Sequence, residues 1–73
     1  MKLTISQALQ RGIVAHNEGK LKEAEGIYRK ILRSQPQHAE TNHNFGVLAV
    51  GVNKAEAALP LFKVALEANP KME

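Results

Sequence analysis

Two stretches of this chain carry one pattern at a spacing of 34 residues: Gly12, Ala15, Lys20, Ala24, Leu32 and Pro36 recur as Gly46, Ala49, Lys54, Ala58, Leu66 and Pro70. At the same offset Ile13 matches Val47, Val14 matches Leu48, Ile27 matches Leu61, Tyr28 matches Phe62 and Arg29 matches Lys63. The matches fall on small residues, an aromatic and a proline, the types that control how closely two backbones approach and where a chain turns. The period is therefore that of a structural unit used twice, and such a unit buries its apolar face only by stacking on a neighbour.

Length limits what two units can do alone. A chain of 73 residues forms one small domain, residues 1–73, whose core supports marginal stability unless disulfides, a metal or association add to it. Cysteine is absent, so there is no covalent staple, which fits a reducing compartment. No apolar run reaches the roughly 18 to 20 residues of a membrane span, and the N-terminus lacks a basic-then-apolar signal pattern. The expectation is a soluble, cytoplasmic protein with no membrane partner. The net charge of +3 is concentrated in one window, where Lys20, Lys22, Arg29, Lys30 and Arg33 face Glu23 and Glu25. Such a window either solvates a helix face or attracts an acidic partner, and solvation is the simpler reading.

Local signals predict four helices. Thr4 and Gln7 have capping-box spacing, with Leu3 and Ala8 placed to staple across the cap, so a first helix starts near Ile5 and ends at Gly19. Leu21, Ala24, Ile27, Tyr28, Ile31 and Leu32 recur at steps of three and four, drawing one apolar stripe on a second helix that stops before Pro36. A third helix runs from about Ala39 to Val50, with Gly51 and Asn53 as its exit and Phe45, Leu48, Ala49 and Val52 inward. Asn53 and Glu56 are spaced as a cap with a reciprocal acid, opening a fourth helix through Ala55, Ala58, Leu61, Phe62, Ala65 and Leu66. Pro60 falls inside that helix and removes a backbone donor, predicting a kink or an irregular first turn; Gly26 occupies the same place in the first copy.

The order Gly12, Ala15, Ala24, Tyr28, Pro36 and then Gly46, Ala49, Ala58, Phe62, Pro70 resembles the tetratricopeptide repeat, over nearly the whole chain. The resemblance implies an all-α fold of two tandem helix-turn-helix units, residues 5–38 and 39–72, forming a short right-handed solenoid of antiparallel helices. Ala8, Asn42 and Arg11 depart from it, standing where that family often has large aromatics and leucine; Phe45 fills the second copy's equivalent of Arg11.

On this resemblance the chain is no enzyme and needs no cofactor. It is a protein-protein interaction scaffold, similar to the N-terminal repeats of bacterial multi-repeat proteins that precede a glycosyltransferase, sulfotransferase or methyltransferase domain. Its partner-binding concave wall is expected to comprise Leu9, Gln10, Ile13, His16 and Asn17 from the first unit, and His43, Asn44, Val47 and Val50 from the second; Ser6, Glu40 and Gly51 flank them. Gln10 and Asn44 share a place in successive units, and a primary amide offers both donor and acceptor to an extended peptide backbone. This resembles the asparagine ladder in the repeats of O-linked N-acetylglucosamine transferases; the competing reading has Asn44 bonded to a neighbouring helix. Leu9, Ile13, Val47 and Val50 form an apolar strip that either docks a partner or is half-covered by the curvature of the units. The clamp that grips a C-terminal carboxylate through basic and amide side chains is not expected, because Leu9 and Ile13 stand at its contributing places.

Other chemistries find little support. His38 and His43 are five apart, unlike the four-residue metal spacing, and no cysteine assists them; no metal site is expected. No nucleophile, base and acid constellation and no phosphate-cradling glycine loop is present. A basic helical nucleic-acid-binding domain is the alternative function, but the bases interleave with the core stripe of the second helix and stacking aromatics are few.

A stack of units also needs covered ends. Leu59, Leu61, Leu66 and Ala68 on the fourth helix are expected at an open end, where self-association into a homo-oligomer would supply the missing burial.

Overall fold

A computed structural model describes residues 3–71. Among them the protein is all-helical, with α1 (Ile5–Asn17), α2 (Leu21–Ser34), α3 (Ala39–Gly51) and α4 (Ala55–Ala68). The bounds of α1 and α2, advanced by 34, are those of α3 and α4. α1 packs chiefly on α2 and α3 on α4, while α2 against α3 joins the pairs and α1 touches α3 only lightly.

The turn inside each pair repeats at the level of single hydrogen bonds. Gly19 N–H donates to His16 O at 3.1 Å and Lys20 N–H to Ala15 O at 2.9 Å; 34 residues on, Asn53 N–H donates to Val50 O at 3.0 Å and Lys54 N–H to Ala49 O at 2.8 Å. Both are Schellman closures, which need a left-handed residue after the helix. Gly19 supplies it at φ 79° and Asn53 at φ 64°. Asn53 is therefore the closing residue of α3 and not, as expected, the cap of α4. That place falls to Lys54, which makes no side-chain capping bond. Asparagine suits both roles, and Gly19 at the equivalent position shows which one applies.

The α1 cap is the capping box anticipated from sequence, with Gln7 N–H donating to Thr4 Oγ1 and Thr4 N–H to Gln7 Oε1, both at 3.0 Å. Leu3 and Ala8 border one cleft there with Ile27 and Ile31. α3 begins differently. His38 Nδ1 accepts from the Thr41 N–H at 3.3 Å and lies 2.8 Å from Thr41 Oγ1. Buried Asn42 fastens the same turn, its Nδ2 donating to Pro36 O at 3.1 Å and to His38 O at 3.0 Å. The α2–α3 connection is thus tied by a side-chain amide.

Leu9, Ala15, Ala24, Tyr28, Ile31 and Leu48 form the central core, with Ile13, Ile27, Phe45 and Val52 packed on its margin. Tyr28 is fully buried, its ring centroid 5.8 Å from that of Phe45 and 6.5 Å from that of His16. Close approach is possible because glycine faces each aromatic. A Cβ on Gly12 would lie 2.6 Å from Tyr28 Cε1, and one on Gly46 would lie 2.6 Å from Phe62 Cε1. The Gly46 contact is the tighter, with three Phe62 ring atoms under 3.0 Å against one of Tyr28, but Tyr28 is enclosed, whereas Phe62 is only half-buried, so its ring yields at less cost. Alanine gains about 1 kcal/mol over glycine in a helix, while overpacking an enclosed site costs about 1 to 3 kcal/mol. In urea denaturation, Gly12→Ala is therefore expected to lower stability and Gly46→Ala to leave it nearly unchanged. The reverse ranking would contradict this account of the two units.

α4 runs through Pro60 without a break. The disturbance appears in its first turn, where Lys54 O accepts from both Ala57 N–H at 3.0 Å and Ala58 N–H at 3.2 Å. A carbonyl shared between the i+3 and i+4 donors is an irregular turn of the kind anticipated ahead of the proline.

Candidate protein-interaction surfaces

The first candidate surface is the outer face of α1 and α3. Helical spacing sets Gln10, Ile13, His16 and Asn17 along α1 and His43, Asn44, Val47 and Val50 along α3. Val47 and Val50 are 43% and 52% exposed, Ile13, His16, His43 and Asn44 are half-buried, and Gln10 and Asn17 are exposed. Leu9 is not available to a partner. It is 6% exposed and belongs to the core, because it lies one step around α1 from Ile13, on the side that faces the other helices.

The polar groups of this face are partly committed. Asn44 Nδ2 donates to Glu40 O at 2.8 Å, a bond back to its own helix. One of its two amide N–H groups is thus held within α3 and does not reach a neighbouring helix, and the second N–H and Oδ1 remain for a partner. His43 sits over Phe62 with ring centroids 5.7 Å apart, and His16 meets the edge of Tyr28. Both imidazoles therefore pack on the aromatics that the glycines admit, and their apolar contacts hold them in place.

The second candidate surface is the outer face of α4, where Leu59 is 69% and Leu66 54% exposed. The other two residues expected there lie elsewhere. Leu61 is half-buried and lines the groove between the units with Leu21, Phe45, Leu48 and Val52. Ala68 borders a shallow depression beside the 35–38 turn. At about 100° per residue, both are turned away from Leu59 and Leu66. The face gains two residues that apolar content alone did not single out, exposed Ala55 and half-buried Phe62. The spacing 55, 59, 62, 66 was the available signal, since steps of four, three and four mark one seam of a helix.

The opposite end is different in kind. At the 34-residue offset, the places of Phe45, Val52, Ala57 and Val64 are taken in the first unit by Arg11, Glu18, Glu23 and Lys30. Arg11, Glu18 and Glu23 border one open cleft together with Val14 and Ile27. Where α3 presents apolar residues to α2, α1 presents charges to solvent.

The basic window of α2 is partly neutralised. Arg29 pairs with Glu25 at 3.0 Å and lies 5.4 Å from the centre of the Phe45 ring, and Lys20 pairs with Glu18 at 3.3 Å. Among the described residues no three His, Asp or Glu side chains converge as metal ligands, and no helix is long and apolar enough to cross a membrane. Burial raises the Tyr28 phenol above its ordinary pKa, and its hydroxyl has no hydrogen-bond partner among the described residues. Comparison with family models, with curated proteins and with solved structures finds no match for this chain.

Proposed function

We propose that this chain is a two-unit scaffold of the tetratricopeptide type, a short right-handed solenoid that binds a peptide or protein segment on the α1–α3 face and self-associates through α4. The observation that carries the reading is the coincidence of helix bounds, turn bonds and glycine–aromatic contacts at one 34-residue offset. Two units in that register set α1 and α3 side by side as one wall. Ile13, Val47 and Val50 supply apolar contact there, and Gln10 with Asn44 Oδ1 supplies groups for a peptide backbone. A wall of aliphatics and amides favours an extended, weakly charged segment over an acidic or phosphorylated one, since among the described residues no basic cluster lies on it.

Panning a random peptide library on the folded protein tests this reading. The expected result is a set of extended apolar peptides whose binding falls more than about tenfold in Val47→Asp, with helicity unchanged because the position is exposed. Peptides that bind Val47→Asp and the parent equally, or a library that yields none, would contradict the wall as the binding surface.

A further inference from the structure

The molecule contains its own template for how the α4 face is covered. α2 and α4 occupy the same place in successive units, and the face that α2 turns to α3 carries Leu21, Glu25, Tyr28 and Leu32, the counterparts of Ala55, Leu59, Phe62 and Leu66. Contact with α3 leaves Leu21 and Leu32 half-buried and Tyr28 fully buried. Without such a contact, Leu59 and Leu66 are exposed and Phe62 is half-buried. Leu59 is the telling position. Its counterpart Glu25 is an acid that pairs with Arg29, so the second unit has a leucine, the most exposed large apolar residue described, where the first has a charge.

Two properties of the seam select its occupant. Head-to-tail stacking would bring α4 of one copy against α1 of the next, and there the apolar places of α3 are held by Arg11 and Glu18, in contact with solvent. Leucines set against them would desolvate the Arg11 charge and the Glu18–Lys20 pair with nothing polar to replace the lost water. The seam is instead complementary to itself. The residues 55, 59, 62 and 66 follow heptad spacing within an arc of about 60°. Run antiparallel to its own copy, the helix brings Leu59 against Phe62 and small Ala55 against large Leu66, each pair occurring twice about a two-fold axis. In that register Glu56 on the seam's solvent edge falls near Lys63 of the second copy, and Lys63 near Glu56 of the second copy, so that both opposite-charge pairs lie along one flank, the other being taken by the buried Ala58 and Ala65. Pro60 lies outside the seam and does not obstruct it.

We propose that a second copy of this chain covers α4, forming a closed two-fold dimer through antiparallel α4 helices with Leu59, Phe62 and Leu66 at its centre and two Glu56–Lys63 pairs between copies along one edge. This rests on the self-association reading above and specifies its geometry. Closure at this face leaves the α1–α3 wall of each copy free, so the dimer presents two partner sites and engages a divalent target with avidity.

Light scattering coupled to size exclusion, over a range of protein concentration, reads the mass directly. The expected mass is twice the 8.0 kDa of one chain. Leu59→Glu, at an exposed position, should give a helical monomer or raise the dimer dissociation constant more than about tenfold. Lys63→Glu should weaken the dimer, and Glu56→Lys combined with Lys63→Glu should restore it, a rescue that only the antiparallel register produces. A dimer indifferent to Leu59→Glu, one weakened by Lys63→Glu but not rescued by the double exchange, or a mass that grows without limit would overturn the proposed geometry while leaving self-association standing. A wild-type monomer at every concentration would overturn both. A dimer lost in Leu59→Glu and rescued by the double exchange upholds the proposal.

Discussion

Tyr28→Ala is expected to abolish the cooperative unfolding transition at room temperature. Removing a large buried aromatic costs about 3 to 5 kcal/mol in transfer and cavity terms, and a chain of 73 residues holds little more than that in total. Tyr28 is fully buried between Gly12, His16 and Phe45, on the contact that joins the two units, so the loss spreads through both. Far-UV circular dichroism at increasing urea would show a shallow, non-cooperative decline. A preserved transition would mean that the units do not depend on this ring.

Tyr28→Phe separates the ring from its hydroxyl. The second unit already uses Phe62 at the equivalent position, and the Tyr28 hydroxyl is buried with no partner among the described residues, a condition worth about 1 to 3 kcal/mol of lost solvation. The variant is therefore expected to be as stable as the parent or more so. The same burial raises the phenol pKa. A group whose folded pKa lies above its unfolded value contributes stability below the unfolded pKa and loses that contribution as pH rises through the folded one. Wild-type stability should thus fall above about pH 10 in a way that Tyr28→Phe does not share. Because this is the only tyrosine in the chain, phenolate absorbance reports its ionisation without interference.

The second large effect is a gain. Pro60 is the sixth residue of α4, beyond the first turn where proline is tolerated, and its exposed ring packs into no core. Proline in a helix interior lies about 3 kcal/mol below alanine. α4 continues unbroken through the proline, so the fold already absorbs part of that difference. Pro60→Ala is expected to stabilise the protein by about 1 to 3 kcal/mol, and a domain of this size converts each kcal/mol into about 4 to 8 °C in Tm. A fall in Tm would mean that the proline fixes a turn the fold requires.

The sequence was most legible where one residue type serves one backbone purpose. Thr4 with Gln7, the four helix spans and the paired glycines and aromatics could all be read, because capping, period and close approach each demand particular side chains. Reading failed where a residue suits two roles or where orientation decides. Asn53 can cap a helix or close one, and only the parallel with Gly19 separates them. His38 as a cap and Asn42 as a brace carry no strong signal, since their partners are backbone groups of a turn not yet formed. The resemblance alone puts Leu9 on the wall, and apolar character alone puts Leu61 and Ala68 at the open end, whereas the angle of each around its helix turns it elsewhere. Phe62 was read as core, yet it also borders the seam of α4.

The central claim is that one helix pair is used twice, with each glycine seated on its aromatic. Nuclear Overhauser contacts measured in solution test it most directly. The account predicts contacts from the Gly12 α-protons to the Tyr28 ring and from the Gly46 α-protons to the Phe62 ring, together with upfield ring-current shifts at both glycines. Contacts at Gly12 without their counterparts at Gly46 would contradict it, because the second unit would then not be a copy of the first.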